Sequence, residues 1–207
     1  MKQLDYMLEQ SDEERQKQFL DCIRSCLEKR SRSLGKDVWT EYLKNETDIV
    51  ESFQNALLTG MEQLHDIMAS GKKQAISYIQ ISYLLSAALS GEKLMKIDFY
   101  DQQYYGDIYE ADCFWDYEKL FPEYKEELIL LKKELQQVLP RITSYEFQKA
   151  GTYYQIGNFI VLETVVKDML YKIKPEGLLG KYLAAYGGVF YGAYLDQSEL
   201  IYKWGNK

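Results

Sequence analysis

The chain has 207 residues and a formal net charge of −7, from 25 basic and 32 acidic side chains. With 46% hydrophobic and 28% charged residues, and only 3 prolines and 13 glycines, it is unlike a collagenous, linker-rich or disordered chain. An acidic protein gains no counterion release on a phosphate backbone, so nucleic acid is not an expected partner.

In chain order, Ser11 followed by Glu14 has the spacing of a capping box and predicts a helix start. Phe19, Leu20, Ile23, Cys26 and Leu27 then share one helical face, Lys29, Arg30 and Arg32 fall near the predicted last turn, and Gly35 is placed to close it. Asp37 opens a second helical stretch. Its apolar stripe runs from Trp39 and Tyr42 through Ile49, Phe53, Leu57 and Leu64 to Met68, with a break near 45–47 and an end at Ser70-Gly71. Ala75 to Gly91 carries no charge, and about 74–90 is read as a third, central helix. Serines and a glutamine in that run, and the tyrosines and glycines of Leu178–Leu195, make both stretches buried helices rather than membrane spans.

After Gly91 the period changes. Met95, Ile97 and Phe99 alternate with Lys96, Asp98 and Tyr100, and beyond Gly106-Asp107 the residues Tyr109, Ala111, Cys113 and Trp115 alternate again, which predicts an antiparallel hairpin near 94–115. Pro122 suits a helix start, Tyr124, Leu128, Leu131, Leu135 and Val138 share one face, and Pro140 stops that helix. Ile156, Phe159, Ile160, Val166, Leu170 and Ile173 form a further stripe that ends at Pro175, and a C-terminal helix is expected over about 176–203. The fold expected is mainly α: one domain over 1–207, a bundle of about six helices with the hairpin inserted.

In the expected C-terminal helix, Gly180, Ala184, Gly188 and Gly192 recur every four residues, beside a row of Tyr182, Tyr186, Phe190 and Tyr194. Glycine costs about 1 kcal/mol in a helix interior, so the row predicts close approach of another helix. That helix belongs to the same domain or to a second copy in a homodimer. A third possibility is a groove for an apolar or aromatic ligand.

Catalytic signatures are missing. There is no GxSxG, GxxxxGK[ST], GxGxxG, HExxH or CxxC, and His65, flanked by Glu62 and Asp66, is the only histidine. Cys22, Cys26, Cys113 and His65 lack zinc-knuckle spacing, so neither a metal nor another cofactor is expected. Three cysteines and an N-terminus without an apolar leader point to a reducing, cytoplasmic setting. The basic cluster Lys29, Arg30, Arg32 and Lys36 reads as a solvated helix end.

The most distinctive segment is acidic and aromatic. Residues 101–127 hold nine acids against Lys119 and Lys125, a charge equal to that of the whole chain, and 98–124 hold ten aromatic rings. Asp98, Asp101, Tyr104, Tyr105, Asp107, Tyr109, Glu110, Asp112, Trp115 and Asp116 are the candidate binding residues. Acids steer a basic partner and rings anchor it, so a non-catalytic protein-interaction module is the first expectation. A helical small-molecule binder with its pocket beside Tyr182, Tyr186 and the glycine row is the second. A hydrolase or transferase working through paired carboxylates is the third.

Overall fold

The computed structural model describes residues 2–139, 141–192 and 197–205; the side chains of residues 2–12, 31, 32, 85, 88 and 105 lie outside the described residues. Helix α1 (Lys2–Lys44) is continuous through both expected boundaries. Ser11 lies inside it rather than at its start, with its side chain outside the described residues. Gly35 does not end it either, because Leu34 and Val38 on either side are buried in the core. Burial of two such side chains outweighs a glycine penalty of about 1 kcal/mol. The expected break falls at Asn45, after which α2 (Glu46–Ala69) begins.

The region read as a third helix is instead strand β1 (Ile76–Tyr83) and one short helix, α3 (Leu85–Ser90), closed by Gly91 in the left-handed conformation at φ +82°. A run of apolar residues without alternation is what a strand covered on both faces and a buried helix have in common. The Ile and Tyr content of β1 favours the strand. Strand β2 (Leu94–Tyr100) and β3 (Asp112–Asp116) pair antiparallel, Ile97 opposite Cys113 and Asp98 opposite Asp112, so the hairpin forms as part of a larger sheet. Two helices follow, α4 (Tyr124–Val138) and α5 (Ser144–Ile173). Thr143 and Glu146 start α5 with a reciprocal capping box.

The expected C-terminal helix is absent. Pro175 begins only one turn, α6 (Pro175–Leu178), and Gly180–Tyr182 form a 3-10 turn that leads into β4 (Leu183–Gly192) and β5 (Glu199–Trp204). A spacing of four is two full strand alternations as well as about one helical turn, so the glycine row fits either element. In β4 the glycines serve strand contacts. A Cβ at Gly187 would strike the Ser77 carbonyl and the Trp204 ring, one at Gly188 would strike Leu200, and one at Gly192 would meet Ser198 Cα at 2.6 Å. The expected homodimer seam and glycine-floored groove both required a helix here. Tyr194 lies outside the described residues.

The five strands form one mixed sheet in the order β3-β2-β1-β4-β5, in which β1 pairs parallel with β4 and the other pairs are antiparallel. The all-α bundle is therefore corrected to an α/β fold. Helices α2 and α5 pack on one face: Phe53 meets Trp115 edge-on at 5.0 Å, Phe159 stacks on Tyr191 at 4.4 Å, and Tyr171 meets Tyr202 at 5.3 Å. Outside them, α1 lies against α5 and α4. Among the described residues no helix is long and apolar enough to cross a membrane.

Candidate functional site

Strand parity divides the sheet into two unlike faces. Ile79, Ile81, Met95, Ile97, Phe99, Cys113, Trp115, Val189 and Tyr191 point toward α2 and α5 and are buried. The opposite face has a cross-strand row in which Asp112 faces Asp98, Asp98 faces Gln80, Gln80 faces Phe190 and Phe190 faces Leu200. A second row sets Phe114 beside Lys96 and Lys96 beside Ser82, and Tyr78 faces Tyr100. This face stays open at both flanks, with Phe114 51% and Leu200 52% exposed.

At its centre Lys96 Nζ bridges two carboxylates, reaching Asp98 Oδ1 at 2.8 Å and Asp112 Oδ2 at 3.0 Å. Burial opposes the Lys96 charge, but its bonds to the two carboxylates win and hold the ammonium above its ordinary value. Burial raises the Asp98 carboxyl in spite of the Lys96 bond, and Asp112 and Glu110 add like charge. Tyr100 is pushed up to about 12 by burial and by the Asp98 charge. Tyr104 comes from the 3-10 turn Tyr104–Gly106 and adds a ring to the face, 4.8 Å from Tyr78, 5.4 Å from Tyr100 and 6.5 Å from Phe190. Its φ is +50°, a left-handed conformation costing a Cβ-bearing residue on the order of 1–3 kcal/mol.

Of the residues expected from sequence, the structure brings Asp98, Tyr104 and Asp112 together here. Asp101 and Asp107 are used elsewhere. Asp101 accepts from the Gln74 and Gln103 N–H groups at 3.2 and 2.8 Å, and Asp107 accepts from Lys73 and from the Asp101 and Tyr109 N–H groups. Lys73 and Asp107 form a buried pair that braces the 101–111 loop, with Lys73 also donating to the Tyr109 carbonyl. Tyr109 is exposed, with Lys72 over its ring, Glu110 is exposed in the same loop, and Asp116 accepts from the Glu118 N–H at 2.8 Å. Trp115 is 1% exposed and lies on the helix-covered face. The side chain of Tyr105 lies outside the described residues.

From the C-terminal set, Gly180 and Tyr182 sit in the turn before β4, with the Tyr182 hydroxyl 3.4 Å from His65 Nδ1. Ala184, Tyr186, Gly188 and Gly192 lie along β4, where Tyr186 is exposed. Sequence reasoning missed Tyr78, Gln80, Lys96 and Leu200 as members of this face; Tyr100 and Phe114 were counted among the ten rings but not chosen as candidates, and Phe190 was placed in the ring row of the expected C-terminal helix. The available signal was Gln80, a lone amide inside an apolar run.

The cysteines and histidine do not converge, and among the described residues no group of His, Cys, Asp and Glu is placed to hold a metal ion. Cys26 donates to Glu134 at 2.8 Å, and burial first, then that bond, pushes its thiol up to about 12; burial does the same to Cys113. Arg30 is buried against Glu127 at 2.7 Å and over the Tyr154 ring at 4.8 Å, so it is not free for a phosphate. The side chain of Arg32 lies outside the described residues. No protein-family model matches this chain, and neither a curated protein nor a solved structure shows significant similarity to it.

Proposed function

We propose that the chain is a protein-interaction module that takes a basic protein partner on the open face of its sheet. The observation that carries this reading is the pair Phe114 and Leu200, each half exposed on opposite flanks of a face with carboxylates and tyrosines between them. Exposed apolar residues around a polar centre are what an association site needs: the rings and the leucine supply contact area, and the acids set approach and register. Asp98, Asp112 and Lys96 sum to one negative charge, which a basic partner balances.

A carboxylate-based hydrolase or transferase has less support. Lys96 stands between Asp98 and Asp112 at hydrogen-bond distance from both, where an acid–base pair needs room for substrate or water. The small-molecule binder loses the helix that its pocket was built on.

The test is site-specific photo-crosslinking in native extract, with the cross-linking residue at Phe114, at Leu200 and, as control, at the exposed Ile129 of α4. The proposal expects the same basic protein at Phe114 and Leu200, absent at Ile129 and lost from the Asp112→Lys variant. Equal labelling at all three sites, or labelling indifferent to Asp112→Lys, overturns it.

A further inference from the structure

Resting on that reading, we infer that Gln80 and Asp98, flanked by Tyr78, Tyr100 and Tyr104, form a subsite for one arginine side chain of the partner. Gln80 is 1% exposed and stands between Asp98 and Phe190 in the cross-strand row. Its Nε2 donates to the Ile81 carbonyl at 3.3 Å, while its Oε1 is buried with no hydrogen-bond partner among the described residues. A buried acceptor without a donor is costly, and a donor brought by a ligand removes that cost. Beside it, Asp98 Oδ1 is held by Lys96, and Oδ2 accepts no hydrogen bond among the described residues.

The acceptors and rings together select the cation. A guanidinium presents five N–H donors in one plane, so it serves Gln80 Oε1 and Asp98 Oδ2 together while its flat faces rest on tyrosine. An ammonium has no flat face, and Lys96 already supplies one to both carboxylates. The burial of Gln80 means that a neighbouring ring moves aside on binding. Tyr104 is the ring held by a turn instead of a strand, on a left-handed backbone.

The experiment titrates the intact, isotopically labelled protein with N-acetylarginine amide and, separately, with N-acetyllysine amide, followed by nuclear magnetic resonance. The arginine compound is expected to shift the Gln80 side-chain amide and the Asp98 and Tyr100 backbone amides, with a Kd at least about tenfold below that of the lysine compound. Gln80→Met, which keeps the volume and removes the acceptor, erases the preference, and Asp98→Asn weakens both compounds. Equal affinity on the parent protein, shifts mapping away from this row, or a preference surviving in a folded Gln80→Met protein overturns the subsite. If Gln80→Met loses its native circular dichroism, the comparison on the parent protein decides alone. Cross-links at Phe114 and Leu200 together with equal binding of the two compounds would sink the arginine subsite and leave the interaction face standing. Loss of those cross-links would remove the face itself.

Discussion

Lys73 with Asp107 and Lys96 with Asp98 and Asp112 are built from the same side chains, and all three aspartates fall in or beside one acidic stretch. The first cluster is closed. The side chains of Lys73 and Asp107 are almost wholly buried, and both oxygens of the Asp107 carboxylate are engaged, by the ammonium and two backbone N–H groups. The second cluster is unfinished. One ammonium serves two carboxylates, and among the described residues Asp98 keeps an unused oxygen and the neighbouring Gln80 acceptor has no donor. Completion of partners, rather than residue type, separates a loop brace from a binding surface.

The largest expected effects test the closed side of that contrast. Lys73→Met leaves Asp107 buried and uncompensated, which should cost about 3–5 kcal/mol in denaturant unfolding. A loss below about 1 kcal/mol would mean that the 101–111 loop does not depend on the pair. Trp115→Ala removes a ring packed on Phe53 and should also cost about 3–5 kcal/mol. Its neighbour Phe114, on the other face, should tolerate alanine within about 1 kcal/mol. Similar losses at the two positions would contradict the assignment of faces.

Smaller effects belong to the unfinished cluster. The Asp98 carboxyl lies above its ordinary value of 3.8 in the folded chain, so its contribution to stability is full below that pH and fades as pH rises through the raised value. Asp98→Asn does not titrate there, so parent stability should decline relative to the variant as pH rises above 3.8. Parallel curves would show that burial does not govern this group. Asp112→Lys, at a part-exposed pair, should change stability by no more than about 1 kcal/mol. A larger loss would make that carboxylate structural, like Asp107.

How much of this was legible in the sequence depended on which neighbours each residue meets. The β2–β3 hairpin shows as plain alternation because one strand face is apolar and the other charged. The central strand β1 does not, since Gln80 is buried on one side and Ile79 and Ile81 on the other, which removes the alternation that marks a strand. β4 was hidden differently: its glycines and rings repeat every four residues, and only the partner strands β1 and β5 distinguish strand from helix there. Asp98 and Asp112 were visible as acids among rings, but Asp101 and Asp107 look the same in one dimension. What tells them apart is Lys73, 34 residues before Asp107, and the register that sets Gln80 against Asp98.

The most direct test of the open face is kinetic. The association rate of the basic protein that cross-links at Phe114 is measured as ionic strength rises from 0.01 to 0.15 M, which shortens the screening length from about 30 to 8 Å. An acid-steered face predicts a steep fall in rate for the parent protein and a slower, flatter profile for Asp112→Lys, with dissociation little changed. Salt-independent association, or an Asp112→Lys profile that overlays the parent's, would contradict the account.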